Sequence, residues 1–219
     1  MSGVVYWCVW ALFNGLARLF FRFRVEGIEH FPKNGGIIVA ANHASYLDIP
    51  LLGCAIRRRV FFLGRDNLFS NHWLNRILQW LGWIPLKTHR LDRKAFEQAL
   101  SYLNSGIPVV IFPEGTRTED GQLQQGRPGI GYLVSESQCQ VIPVYISGTF
   151  KVLSVKAKWP KFFPVSVSFG HVVSYPRDES QKAKAYYEKV SASVMDHVSR
   201  VGGVSPPHSR VHDSCGNNT

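Results

Sequence analysis

Two short stretches hold side chains suited to proton transfer and anion binding. The first is Asn42-His43-Ala44-Ser45-Tyr46-Leu47-Asp48. A carboxylate about one helical turn beyond an imidazole can take the proton on one ring nitrogen and fix the tautomer. The other nitrogen is then free to accept a proton from an alcohol. His43 and Asp48 are thus the base and orienter of a catalytic triad that needs no nucleophilic serine. A histidine beside an aspartate is more often only a helix-cap hydrogen bond, so the pair gains weight from the second stretch, Phe112-Pro113-Glu114-Gly115-Thr116-Arg117. Pro113 and Gly115 impose a tight turn, and Glu114 and Arg117 put charges at the end of an apolar run, where burial without a partner is costly. One reading is a self-satisfied ion pair. The other is a phosphate clamp: Arg117 offers a planar fork of donors while Glu114 orients the arginine or a substrate hydroxyl.

Both stretches follow segments that read as buried strands. Gly36-Ile37-Ile38-Val39-Ala40-Ala41 is apolar, β-branched and bounded by glycine, and Ile107–Phe112 is similar. Residues 49–56 read as a packed helix with Asp48 near its N-cap. Further strands are expected at 23–27, 60–64, 83–87, 140–148 and 165–173. Helices are expected at 71–82 (Trp73, Leu74, Ile77, Leu78 and Leu81 on one stripe), at 91–104 (Leu91, Ala95, Ala99 and Leu103 inward) and at 180–200 (Ala183, Tyr187, Val190 and Val194 on one side). The alternation predicts an α/β fold, a mostly parallel central sheet flanked by helices. In such sheets ligands gather at the carboxyl ends of strands, where His43 and the 112–117 turn both belong.

The chain of 219 residues is 45% apolar and carries a formal charge of +10, which excludes disorder for most of its length and favours anionic partners. Charge alone also suits a non-catalytic basic protein that binds membranes or nucleic acid. Aromatics are not interleaved with basic residues as in stacking platforms, so no nucleic-acid partner is expected. Cys8, Cys54, Cys139 and Cys215 are scattered without metal-ligand spacing; a reducing compartment is expected and a metal is not. Residues 57–59 are three arginines at a helix end, read as solvated there. His171 alternates with apolar residues and is read as structural, and the basic stretch 151–161 as a loop.

Val4 to Phe23 is a helix too interrupted for a confident membrane span. Asn14, Gly15, Arg18 and Arg22 fall on one side and large apolar residues cover the rest. This suits a helix in the membrane interface, apolar face down and arginines among the headgroups, with the chain on the cytoplasmic face. A core-packed first helix is the competing reading.

The motifs resemble those of the glycerolipid acyltransferases, most closely the 1-acylglycerol-3-phosphate (lysophosphatidic acid) acyltransferases. The family block N-H-x-S-x-x-D is met by Asn42, His43, Ser45 and Asp48, and F-P-E-G-T-R by residues 112–117. The apolar Val-Ile-Pro-Val block is met by residues 141–144, and Arg127-Pro128-Gly129 is similar to the basic segment that opens a helix. The second block departs: Gly82 to Lys87 ends in lysine where the family carries arginine, with Arg90 a nearby substitute. The resemblance covers residues 25–175 and implies an acyltransferase domain, taken over 25–201; the helical pattern before it gives a membrane-interface helix over 1–24, and the Gly, Pro, Ser and Asn content after it a disordered tail over 202–219. The resemblance implies transfer of a fatty acyl group from acyl-CoA or acyl carrier protein to the free hydroxyl of lysophosphatidic acid, giving phosphatidic acid, with His43 as base, Asp48 as its orienter and Ser45 in a structural turn. Lys87, Glu114, Arg117 and Arg127 would hold the acceptor phosphate, with Gly115 and Thr116 completing the substrate-binding set. It implies no cofactor and no metal, since the thioester is already activated. A lyso-aminolipid is the alternative acceptor.

Overall fold

The computed structural model describes residues 3–66, 73, 75–76, 79, 82–87, 92–157, 159–177 and 181–207. Among these, seven strands form one sheet: β1 Arg24–Glu26, β2 Ile38–Ala41, β3 Phe61–Arg65, β4 Trp83–Leu86, β5 Val109–Ile111, β6 Val141–Ser147 and β7 Ser166–Phe169. The order is β1-β7-β6-β2-β5-β3-β4. Five strands run parallel; β7 pairs antiparallel with β6, and β1 runs with β7. The expected mostly parallel α/β sheet is therefore what the chain forms.

Strand alternation splits the core into two layers. Val39, Ala41, Val110 and Ile142 face a layer closed by α1 Gly3–Phe21, α2 Asp48–Ala55 and α5 Thr149–Leu153. Ile38, Ala40, Val109 and Ile111 face the opposite layer, under α3 Arg93–Asn104, α4 Gly129–Ser137 and α6 Ala183–Gly202. Each fully buried Ile, Leu or Val contributes about 1.5–3 kcal/mol, so the central strands, buried on both faces, are firm anchors for the turns at their carboxyl ends.

Several sequence expectations are corrected. The strand expected over 165–173 ends at Phe169, because Pro143 on the facing strand has no N–H to donate. Pairing resumes at the isolated bridge Val141–Val173, one residue out of register with the Val144–Phe169 pair. The inward stripe of α6 is Tyr186, Val190, Val194 and Val198, with Ala183 exposed. The short helix α5 was not expected. Arg58 is no solvated end: its guanidinium donates to the carbonyls of Pro32, Gly35 and Gly106 at 2.7–2.8 Å and ties three turns together. Most of the expected 71–82 helix, together with Arg90, Leu91 and residues 208–219, lies outside the described residues.

Helix α1 packs on the protein by one side and leaves large apolar side chains exposed on another. Asn14 and Ala17 are buried, and Asn14 donates to the Cys54 carbonyl on α2 at 3.0 Å while accepting from Arg18 at 2.9 Å. Asn14 therefore faces the protein rather than headgroups. The large residues Leu12, Phe13, Leu16, Leu19 and Phe20 are exposed.

Candidate active site

β2 delivers the first motif. Its ladder with β6 ends at Ala41, but the Asn42 side chain continues it, donating to the Ile146 carbonyl at 3.0 Å and accepting from the Ile146 N–H at 2.7 Å. With that rung made by a side chain, the backbone turns out of the sheet at His43. Asp48, the first residue of α2 rather than its cap, is fully buried and closes the turn. One oxygen, Oδ2, faces three donors: His43 Nδ1 at 2.9 Å, Ala44 N–H at 2.7 Å and Ser45 N–H at 2.8 Å. An ionised carboxylate only accepts, so the imidazole proton sits on Nδ1 and Nε2 keeps its lone pair. Ser45 donates to the Leu153 carbonyl at 2.7 Å and accepts from Leu47 N–H, the structural turn role that the resemblance implies. The His43 ring lies flat on Phe112, centroids 4.1 Å apart, so the turn after β5 supports the ring that β2 delivers.

That second turn is fastened to the first by Glu114. Its carboxylate accepts from the His43 N–H at 2.8 Å and the Gln124 N–H at 3.0 Å. Thr118 N–H donates back to the His43 carbonyl at 2.9 Å. Glu114 is 3% exposed, and burial pushes its carboxyl up to about 7 against the lowering effect of those two N–H donors. The expectation that Glu114 belongs to a phosphate clamp is therefore corrected. Both oxygens are occupied by backbone, the side chain is off the cleft wall, and its work is to hold the histidine's peptide in place.

The cleft opens at the carboxyl ends of β2, β5, β3 and β4, with a volume of about 630 Å³. His43 lines it, as do Lys87, Gly115, Thr116, Arg117 and Arg127, so the expected site residues other than buried Asp48 and Glu114 share one wall system. The Arg117 guanidinium lies 3.5 Å over the ring of Tyr46, which holds its planar group at the mouth. Arg127 Nε donates to the Glu114 carbonyl at 3.2 Å. Gly115 has φ +71°, and a Cβ there would stand 2.7 Å from Arg127 Cδ, so glycine is what lets the arginine cross the turn. Lys87 N–H is held by Asp92, the N-cap of α3. Sequence reasoning missed a fourth basic residue of the cleft, Arg65 at the end of β3. The signal was available in its position: a parallel strand beside β5 ends on the same edge as the 112–117 turn. Leu63, Leu86, Phe96, Ile111 and Ile130 form an apolar floor. The arrangement offers a positioned base, a cationic rim against two carboxylates (Asp92 and Glu119), and an apolar slot.

The chain is similar to several known proteins. The chloroplastic 1-acyl-sn-glycerol-3-phosphate acyltransferase of Arabidopsis thaliana is 27% identical over 61% of this chain, and the match spans 38% of that protein's length. The 1-acyl-sn-glycerol-3-phosphate acyltransferase of Bacillus subtilis is 29% identical over 47% of this chain and 53% of its own. The crystal structure of the 1-acyl-sn-glycerophosphate (LPA) acyltransferase PlsC from Thermotoga maritima superposes with a TM-score of 0.67 and 26% identity, covering 88% of this chain and 79% of that one. Residues 22–147 match the family described as Acyltransferase. That stretch runs from the end of α1 through β6, more than half of the chain, and makes this protein a member of the Acyltransferase family.

Proposed function

We propose that this protein transfers a fatty acyl group from a thioester donor, acyl-CoA or acyl carrier protein, to the free hydroxyl of lysophosphatidic acid, giving phosphatidic acid for phospholipid biosynthesis. The observation that carries the reading is His43 on the wall of the cationic cleft with its Nδ1 held by buried Asp48 at 2.9 Å. Nε2 removes the acceptor's hydroxyl proton while the oxygen attacks the thioester carbonyl. The new C–O bond forms, the C–S bond breaks, and the imidazolium returns its proton to the leaving thiolate. Asp48 stabilises the imidazolium between these steps. Alignment of the two reactants supplies about 7 kcal/mol or more of the barrier reduction, and the base adds about 100-fold or more.

Lys87, Arg117 and Arg127, together with Arg65, hold the acceptor phosphate, and the apolar slot takes an acyl chain. No cofactor or metal takes part. Helix α1 rests in the membrane interface on the cytoplasmic face, its exposed apolar side toward lipid; among the described residues no helix is long and apolar enough to cross a membrane. The test is an assay of the purified full chain against lysophosphatidate and a panel of other lysolipids, a lyso-aminolipid included, with both donor types. Lysophosphatidate should be the preferred acceptor and His43→Ala should lose at least about 10³-fold in kcat without unfolding. Turnover retained by His43→Ala, or a phosphate-free acceptor preferred, refutes the assignment.

A further inference from the structure

The exposed apolar side of α1 has a neighbour. Trp159 is 81% exposed and Phe162 78%. Both stand on the segment between α5 and β7, and Phe162 stacks on Phe20 of α1 with centroids 5.8 Å apart and planes at 28°. Backbone hydrogen bonds lock the pieces together. Val165 N–H donates to the Phe21 carbonyl at 2.9 Å, Arg24 N–H to the Val165 carbonyl at 3.0 Å, and Lys161 N–H to the Val152 carbonyl at 2.8 Å. The Lys151 ammonium lies 4.6 Å over the ring of Phe163. Aromatic residues held in water by such a frame mark an interaction surface.

Two observations identify its partner. The rim is basic, with Lys151, Lys161 and Arg22 outnumbering acids, while Lys156 and Glu119 offset each other in a pair at 3.2 Å. A second copy of the chain docking on this face would bring two lysine rims together, whereas an anionic leaflet complements them. The segment also begins at the cleft, where Val155 and Glu119 both line the wall.

We propose that the segment carrying Val155, Trp159, Phe162 and Phe163 joins the outer face of α1 in one docking surface for an anionic lipid leaflet. This seats the mouth of the cleft at headgroup level, and a lipid acceptor passes from leaflet to His43 without crossing bulk water. The second half of this statement rests on the acyltransferase reading; the docking surface itself does not.

The experiment is flotation of the purified full chain with vesicles of phosphatidylcholine alone or mixed with phosphatidylglycerol, comparing wild type, Trp159→Ser/Phe162→Ser and Lys156→Gln/Lys161→Gln. The aromatic pair should lower vesicle partitioning by roughly tenfold or more on either composition. The lysine pair should abolish most of the preference for the anionic mixture. With a short-chain lysophosphatidate kept below its aggregation threshold, the aromatic variant should turn over like wild type. With long-chain acceptor in vesicles it should fall in step with binding. Unchanged partitioning of both variants overturns the proposal, as does wild-type self-association in the absence of lipid that Trp159→Ser/Phe162→Ser disperses. A chain that floats as expected yet transfers to no lysolipid keeps the docking surface and overturns the proposed function instead.

Discussion

Asp48→Asn separates two jobs that one carboxylate performs. Its Oδ2 accepts from His43 Nδ1, Ala44 N–H and Ser45 N–H at 2.9, 2.7 and 2.8 Å, while buried Oδ1 has no hydrogen-bond partner. Asparagine must place its carbonyl oxygen where Oδ2 was, because an amide NH2 there would meet two backbone donors. All three bonds survive, and with them the His43 tautomer. What disappears is the negative charge beside the imidazolium formed during proton transfer. Two unit charges about 4 Å apart at an effective dielectric constant of about 20 interact by about 4 kcal/mol. With partial compensation by the amide dipole, kcat should fall roughly 10²–10³-fold. The NH2 group takes a position that is unpartnered in the wild type too, so no hydrogen bond is lost there and Tm should change little. The assay is steady-state release of free thiol from an acyl-CoA with saturating lysophosphatidate, alongside thermal unfolding. Activity within about fivefold of wild type would show that no charge develops on His43. A loss as large as that of His43→Ala would show that the tautomer was not preserved.

The same geometry sets three further outcomes. Glu114 has its carboxyl raised from the ordinary 4.5 to about 7 by burial, so its contribution to stability is fully present below about 4.5 and lost as pH rises through about 7. Glu114→Gln should therefore gain on wild type by about 3 kcal/mol between pH 4.5 and pH 8 in denaturant unfolding; a pH-independent gap would refute the buried carboxyl. Gly115→Ala places a side chain at φ +71° and against Arg127, and should destabilise by about 1–2 kcal/mol while raising the acceptor KM; a neutral variant would mean that Arg127 does not cross the turn. Arg117→Ala should raise the acceptor KM roughly tenfold and leave the donor KM nearly unchanged; the reverse pattern would move Arg117 to the thioester.

The central strands and their motifs were legible because local signals and tertiary context agree there. β2 and β5 are short apolar runs ended by polar motif residues, and neither β-branched run could be satisfied except by burial on both faces. Glu114 was misread because its type and position announce a charge at a strand end, while its partners are amides at 43 and 124. Nothing local shows which way a carboxylate points. Arg65 was missed for a related reason, since its membership of the cleft depends on the lateral order of strands rather than on its neighbours in sequence. Asn14 illustrates a third case. On a wheel it marks the polar side of α1, yet a polar side chain that reaches a free helix-end carbonyl such as that of Cys54 can face inward without penalty.

The Asn42–Ile146 rung lies between β2 and β6, beyond the edge of the cleft, and holds one of its walls more firmly than the other. On the β6 side, Asn42 fastens the strand that carries the base, and the base, its aspartate and the 112–118 turn are bonded to one another. On the other side, the wall from β3 and β4 presents Leu63, Arg65, Leu86 and Lys87 to the cleft. Side chains there can be exchanged without touching any bond that aims the imidazole. Under the proposed function, altering which lipid is accepted is a task for that outer pair of strands, whereas any change along β6 near Ile146 will be felt first as a change in rate.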